Sequence, residues 1–176
     1  MLRVLQASLA RPPLPLLDDG RLLLVAPTGG GKSLTYQLPT AVIGGTTLVL
    51  SPLIALMEDQ VAQLQALGFN ATFLASTLDS ETARERTVKF ARGEYDFVYV
   101  APERLQYSGF LRAVFEAPIE LLAIDEAHCI SEWGHDFRPE YRMLGKLRET
   151  LPRVPIMAYN WVPFPLGASG SCSAAA

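Results

Sequence analysis

Val25-Ala26-Pro27-Thr28-Gly29-Gly30-Gly31-Lys32-Ser33 decides how the rest of this sequence is read. Before it runs Leu22-Leu23-Leu24-Val25, an apolar stretch of the kind that forms a buried parallel strand. After it, Leu34-Thr35-Tyr36-Gln37-Leu38 continues as a helix. Strand, glycine loop, Lys-Ser and helix in that order is a phosphate-binding loop. Glycines let backbone N–H groups converge on phosphate oxygens, where a Cβ would block the approach. The helix N-terminus adds unpaired donors and the positive end of a dipole. Lys32 supplies a charge for the β- and γ-phosphates, and the Ser33 hydroxyl can ligate Mg²⁺. Ala26 stands where the strict pattern has Gly, so the match is to the relaxed form.

Around this loop lie 176 residues, enough for one domain with a real core. A hydrophobic content of 49% with 19% charged residues is that of a globular protein. No apolar run approaches the length that spans a bilayer, so no membrane partner is expected. The net charge of −3 excludes a binder that attracts nucleic acid through an overall basic field. It leaves room for a motor that grips a few phosphates locally. Cys129 and Cys172 have no metal-ligand or disulfide-framework spacing, and a reducing intracellular compartment fits them best. The first seventeen residues carry Arg3 and Arg11 and no acid. A transit peptide shares that pattern, and a short amphipathic helix explains it equally well.

A short helix is expected over 2–10, ended by Pro12-Pro13 and Pro15. Asp18-Asp19-Gly20 turns the chain into the strand before the glycine loop. Gly44-Gly45 ends the first long helix, and Thr46–Leu50 is a second strand. Leu53, Leu56, Met57, Gln60, Val61, Leu64 and Leu67 share one face of a helix that Gly68 stops. Ala71–Ala75 is a third strand, and Asp79 or Ser80 caps a polar helix that runs to Arg92. Phe97–Val100, Leu121–Ile124 and Val154–Ala158 are further strands, with a short helix near 109–116 and a polar one over much of 138–150. Strands alternating with helices give an α/β fold: a three-layer domain with a phosphate-binding loop and a mostly parallel central sheet. Composition changes at Tyr159, after which the chain is uncharged and rich in Pro, Gly, Ser and Ala. The organisation expected is an N-terminal extension over 1–19, a motor lobe over 20–158 and a poorly ordered tail over 159–176.

A phosphate-binding loop needs a carboxylate for its metal and a group to activate water. Asp125-Glu126-Ala127-His128 offers both at the end of a buried strand, the edge of an open α/β sheet where ligands sit. Asp125 is placed on the metal, Glu126 on the attacking water, and His128 links the site to another surface. Just beyond, Cys129 to Tyr141 packs Trp133, His135, Phe137, Arg138 and Tyr141 into one loop. Aromatic faces beside Arg suit single-stranded nucleic acid, and they equally suit a structural loop whose rings fill core.

The run from Asp125 to Tyr141, DEAHCISEWGHDFRPEY, resembles motif II and the aromatic-rich loop of RecQ-family DNA helicases. APTGGGKSLTYQLP from Ala26 to Pro39 resembles their motif I, LVLSPLIALMEDQ from Leu48 to Gln60 their motif Ia, and YVAPERL from Tyr99 to Leu105 their motif Ib. The resemblance implies the first RecA-like lobe of an ATP-dependent 3′–5′ DNA helicase of recombination and repair. Its cofactors would be ATP and Mg²⁺, and its partner single-stranded or partially duplex DNA. It implies nucleotide contacts from Thr28, Gly29, Gly30, Gly31, Lys32 and Ser33, and catalytic roles for Lys32, Asp125, Glu126 and His128. Ser33 and Asp125 would hold the metal. Ser51, Pro52, Pro102, Arg104, Trp133, Phe137 and Arg138 would face DNA. The location implied is the cytoplasm or nucleoid of a bacterium, or the nucleus of a eukaryote.

Three departures accompany the resemblance. The family's upstream Phe-Arg-Pro-x-Gln element is absent, and Gln6 stands in another context. The Thr-Ala-Thr of motif III should follow Ala158, where the chain reads Tyr159-Asn160-Trp161. No second RecA-like lobe with its arginine finger follows, which makes a truncated product the expectation. A non-hydrolysing, nucleotide-dependent DNA-binding module is therefore the alternative reading. A GTP switch is disfavoured, because neither Asn70 nor Asn160 is followed by Lys.

Overall fold

The computed structural model describes residues 2–6, 21–25, 32–127, 143–145, 147, 151 and 154–160. The described residues form one sheet of seven strands: β1 (Leu2–Gln6), β2 (Arg21–Val25), β3 (Thr46–Leu50), β4 (Ala71–Leu74), β5 (Phe97–Val100), β6 (Ile119–Ile124) and β7 (Ile156–Asn160). Their spatial order is β1-β2-β7-β6-β3-β5-β4, and every neighbouring pair is parallel. β3 and β5 are buried at every position, as expected where helices cover both faces of a parallel sheet, with Thr46 and Thr47 the polar residues of β3.

Helices α1 (Leu34–Ile43) and α2 (Ile54–Ala66) carry the chain from β2 outward to β4. Helices α3 (Ser80–Ala91) and α4 (Ser108–Glu116) bring it back to β6, with a 3₁₀ helix over Pro102–Gln106 before α4. Because parallel crossovers are right-handed, reversing direction moves the connecting helices to the opposite face. Two cores result. Tyr36, Met57, Val61 and Leu64 pack with Val49, Tyr99, Ala123 and Tyr159 on one face. Phe90, Leu105, Phe110 and Val114 pack with Leu48, Val98, Val100 and Leu122 on the other, where the rings of Phe90 and Phe110 stack at 5.9 Å. Each such side chain removed from water contributes about 1.5–3 kcal/mol.

The turns follow the sequence closely. Gly93, at φ +71°, closes the turn after α3, and a Cβ there would come within 2.6 Å of Pro118 Cγ. Asp79 caps α3 by accepting the Glu81 and Thr82 N–H groups at 3.0 and 2.9 Å. Those bonds hold its carboxyl below the usual carboxylate range. A depressed folded-state value stabilises the fold at neutral pH, and that stability disappears as pH falls through it. Asp79→Ala is therefore expected to melt below the parent at pH 7. The gap should narrow in acid, below the ordinary carboxylate range, and a gap constant from pH 7 to pH 2 would deny Asp79 the role of a charged cap.

Two expectations need correcting. Leu2–Gln6, expected within a helix over 2–10, is an edge strand paired with β2 from Leu2↔Arg21 to Gln6↔Val25. The last strand is Ile156–Asn160 and not Val154–Ala158, so Tyr159 and Asn160 continue the sheet where composition placed the start of a tail. Of the helix expected over 138–150, Leu144, Gly145 and Leu147 are helical, and the buried Leu147 joins the second core. The glycine loop from Ala26 to Gly31, the loop from His128 to Arg142 and residues 161–176 lie outside the described residues.

Candidate nucleotide site and nucleic-acid edge

The carboxyl ends of β2 and β6 flank that of β7, and each delivers a chemical group. Seven and eight residues past the end of β2 come Lys32 and Ser33, the latter at the N-terminus of α1. Ser33 makes no side-chain cap bond and α1 has no acid in its first turn, which leaves this helix end positive. After β6 come Asp125 and Glu126, level with the end of β3, since the Asp125 N–H donates to the Leu50 carbonyl at 2.8 Å. The Asp125 Oδ1 accepts the Glu126 N–H at 3.0 Å. Glu126 has φ +52°, the one left-handed non-glycine among the described residues. That conformation costs about 1–3 kcal/mol and aims its side chain differently from a strand continuation.

Three buried tyrosines underlie the site, and the sequence reading passed over them. The Tyr36 and Tyr99 hydroxyls lie 3.1 Å apart, and Tyr159 packs edge-on to Tyr36 at 5.5 Å between ring centres. Thr35 Oγ1 donates to the Tyr159 hydroxyl at 2.9 Å, which donates in turn to Met157 Sδ at 3.2 Å. Burial pushes the Tyr36 hydroxyl well above the ordinary tyrosine range and Tyr99 pushes it further, while a hydrogen bond with the Ser33 side chain pulls it back. Burial likewise raises Tyr99 and Tyr159. The Asp125 charge pushes all three hydroxyls the same way. Nothing in the sequence marks them as a set, because Tyr99 and Tyr159 sit in strands where any large apolar residue would fit.

Oxygen donors from one hydroxyl and one carboxylate suit Mg²⁺, which keeps waters and phosphate oxygens in its remaining positions. No group of three or more His, Cys, Asp or Glu occurs among the described residues, so no all-protein metal cage competes with that arrangement there.

The residues expected to face DNA divide by depth. Ser51 is 2% exposed, its Oγ has no partner among the described residues, and Pro102 is also buried. Pro52 and Arg104 are half-buried, after β3 and β5 respectively. Gln37 Nε2 donates to Gln60 Oε1 at 3.1 Å, tying α1 to α2. Thr28, Gly29, Gly30, Gly31, His128, Trp133, Phe137 and Arg138 lie outside the described residues.

A parallel sheet with a Lys-Ser helix entry and an Asp-Glu pair at the ends of strands two places apart is the RecA-like P-loop architecture. The chain belongs to the DEAD/DEAH box helicase family, whose model matches residues 10–159. Among curated proteins it is 49% identical over 142 residues to the ATP-dependent DNA helicase RecQ of Haemophilus influenzae, covering 81% of this chain and 23% of that protein. It is 47% identical to the ATP-dependent DNA helicase RecQ of Bacillus subtilis, covering 76% and 22%, and 42% identical to the ATP-dependent DNA helicase Q1 of Rattus norvegicus, covering 77% and 23%. The chain thus spans less than a quarter of the length of these relatives. A solved structure, a hypothetical ATP-dependent RNA helicase from Sulfolobus tokodaii, superposes with a TM-score of 0.64 at 20% identity, over 86% of this chain and 44% of that one. At that identity the likeness concerns the fold. No helix among the described residues is long and apolar enough to cross a membrane.

Proposed function

We propose that this chain is the ATP-binding motor lobe of a RecQ-like, ATP-dependent 3′–5′ DNA helicase acting in recombination and repair. The observation that carries the reading is the placement of Lys32-Ser33 and Asp125-Glu126 on one sheet edge, on either side of β7. The lobe is read over 20–158, with β1 adding Leu2–Gln6 to its sheet, β7 carrying it to Asn160, the rest of 1–19 an extension and a tail behind. Thr28 to Gly31 and Lys32 cradle the phosphates of ATP. Ser33 and Asp125 would hold Mg²⁺, which supplies neutralisation of the phosphate charge. Glu126 accepts a proton from the attacking water, and His128 links the site to the DNA side. DNA runs over Pro52 and Arg104, with the buried Ser51 and Pro102 shaping that edge from below. Trp133, Phe137 and Arg138 supply stacking and charge from the loop beyond. Such a motor works where DNA is, in a nucleoid or a nucleus.

Lys32→Ala tests the nucleotide half. Hydrogen bonds to charged groups contribute about 1.5–3 kcal/mol, so Mg-ATP affinity is expected to fall by roughly 10- to 150-fold. Equal affinity of parent and folded variant by calorimetry would remove Lys32 from the phosphate site.

A further inference from the structure

A cleft of about 600 Å³ lies between α3 and α4, on the face of the sheet opposite α1 and α2. Arg84, Arg104 and Arg112 line it, with Glu116 its one acid. None of the three arginines forms an ion pair among the described residues. Arg104 Nε is buried without a hydrogen-bond partner among the described residues, and its guanidinium lies 4.9 Å from the Tyr107 ring centre. Tyr107 is 56% exposed and lines the same cleft. On a chain of net charge −3, three unpaired arginines in one groove form a local anion track.

The position of the cleft indicates what it would hold. Ser80 and Ser108, which begin α3 and α4, also line it, so it runs from a mouth at the carboxyl edge of the sheet to Ala91 and Glu116 at the far ends of the two helices. The sheet order β3-β5-β4 puts Pro52 after β3, Arg104 after β5 and the start of α3 beyond β4. A strand crossing Pro52 and Arg104 therefore arrives at this mouth. We propose that the α3–α4 cleft receives the backbone of single-stranded DNA as it leaves the edge, with Arg84 and Arg112 on phosphates and Tyr107 presenting a ring face to a base. An acidic polypeptide would meet the same charges. The exposed aromatic beside Arg104 favours a nucleic acid, because stacking on rings and contact with arginine are how single strands are held. The inference rests on the DNA reading above and adds three residues, Arg84, Tyr107 and Arg112, which the motif resemblance does not assign.

The test is fluorescence anisotropy of the 176-residue chain with labelled oligothymidylates of six and twenty nucleotides across a salt series. The parent is expected to bind the longer strand more tightly and with the steeper salt dependence. The double variant Arg84→Gln, Arg112→Gln should lose that advantage while binding the shorter strand and Mg-ATP like the parent. Two phosphate contacts at about 0.7 each lower the salt slope by about 1.4, equivalent to about seven-fold less affinity lost between 50 and 200 mM salt. A double variant that binds the longer strand like the parent, while Arg104→Ala weakens both strands, overturns the cleft path and leaves the DNA reading standing. A parent that binds Mg-ATP but neither strand overturns both. Displacement of the longer strand by poly-glutamate, lost in the double variant, would assign the cleft to an acidic polypeptide and overturn the proposal.

Discussion

Glu126→Gln is expected to bind Mg-ATP with the parent's affinity and to lose about 10²–10⁴-fold in hydrolysis, the usual contribution of a positioned general base. Gln keeps the length and shape of the side chain but does not take up a proton. The local turn should survive, because its backbone is fixed from outside that carboxylate: Asp125 N–H is held by Leu50, and Asp125 Oδ1 holds the Glu126 N–H. The left-handed backbone at Glu126 suits Gln as well as it suits Glu. Single-turnover hydrolysis with protein in excess is the measurement. Turnover at the parental rate in a folded variant would show that another group accepts the proton.

The second large effect is an absence. This lobe, taken by itself as a 176-residue chain, is expected to release no strand from duplex DNA in the presence of ATP. Positive charge delivered to the transition state by an arginine finger contributes about 10³–10⁵ in rate in comparable NTPases. On the proposed reading Lys32, at the start of α1, serves the ground-state phosphates, and the arginines of the α3–α4 cleft line another face, so neither delivers that charge. Unwinding also requires two gripping surfaces that move relative to one another, and a single rigid sheet flanked by helices supplies one. ATP-dependent strand release by the purified monomer in a displacement assay would contradict this directly.

The strands were legible in sequence wherever both of their faces are buried. Thr46–Leu50, Phe97–Val100 and Leu121–Ile124 are rich in β-branched, aromatic and aliphatic residues because helices cover the sheet on both sides. Leu2–Gln6 was not legible. Its pattern, Leu-Arg-Val-Leu-Gln, fits a helical face as well as a strand, and one neighbour, β2, settles the choice through backbone pairing that no side chain announces. The end of β7 was misjudged for a related reason. Polar and aromatic residues after Ala158 break the apolar run, yet β2 offers partners to Tyr159 and Asn160, and Tyr159 has somewhere to bury its ring. At the site, Lys32, Ser33, Asp125 and Glu126 stood out because phosphate and metal chemistry restricts which residues serve. The tyrosines beneath them did not, since their hydroxyls matter only once three separate elements meet. Arg84 and Arg112 were hidden in the same way, as ordinary surface charges on two helices until the helices are placed side by side.

The position of β7 has a consequence for how the molecule is assembled. The last strand among the described residues does not extend the sheet at its margin; it is inserted in the middle, between β2 and β6. Until residues 156–160 leave the ribosome, β1 and β2 have no hydrogen-bonded link to the other four strands, and two half-sheets must wait with an open seam between them. Pairings that distant in sequence form slowly, and unpaired strand edges invite association with other chains in the interval. Synthesis pausing just before Ile156 would therefore leave a nearly complete lobe in its most adhesive form, and the last five residues of the sheet act as the clasp that ends that exposure.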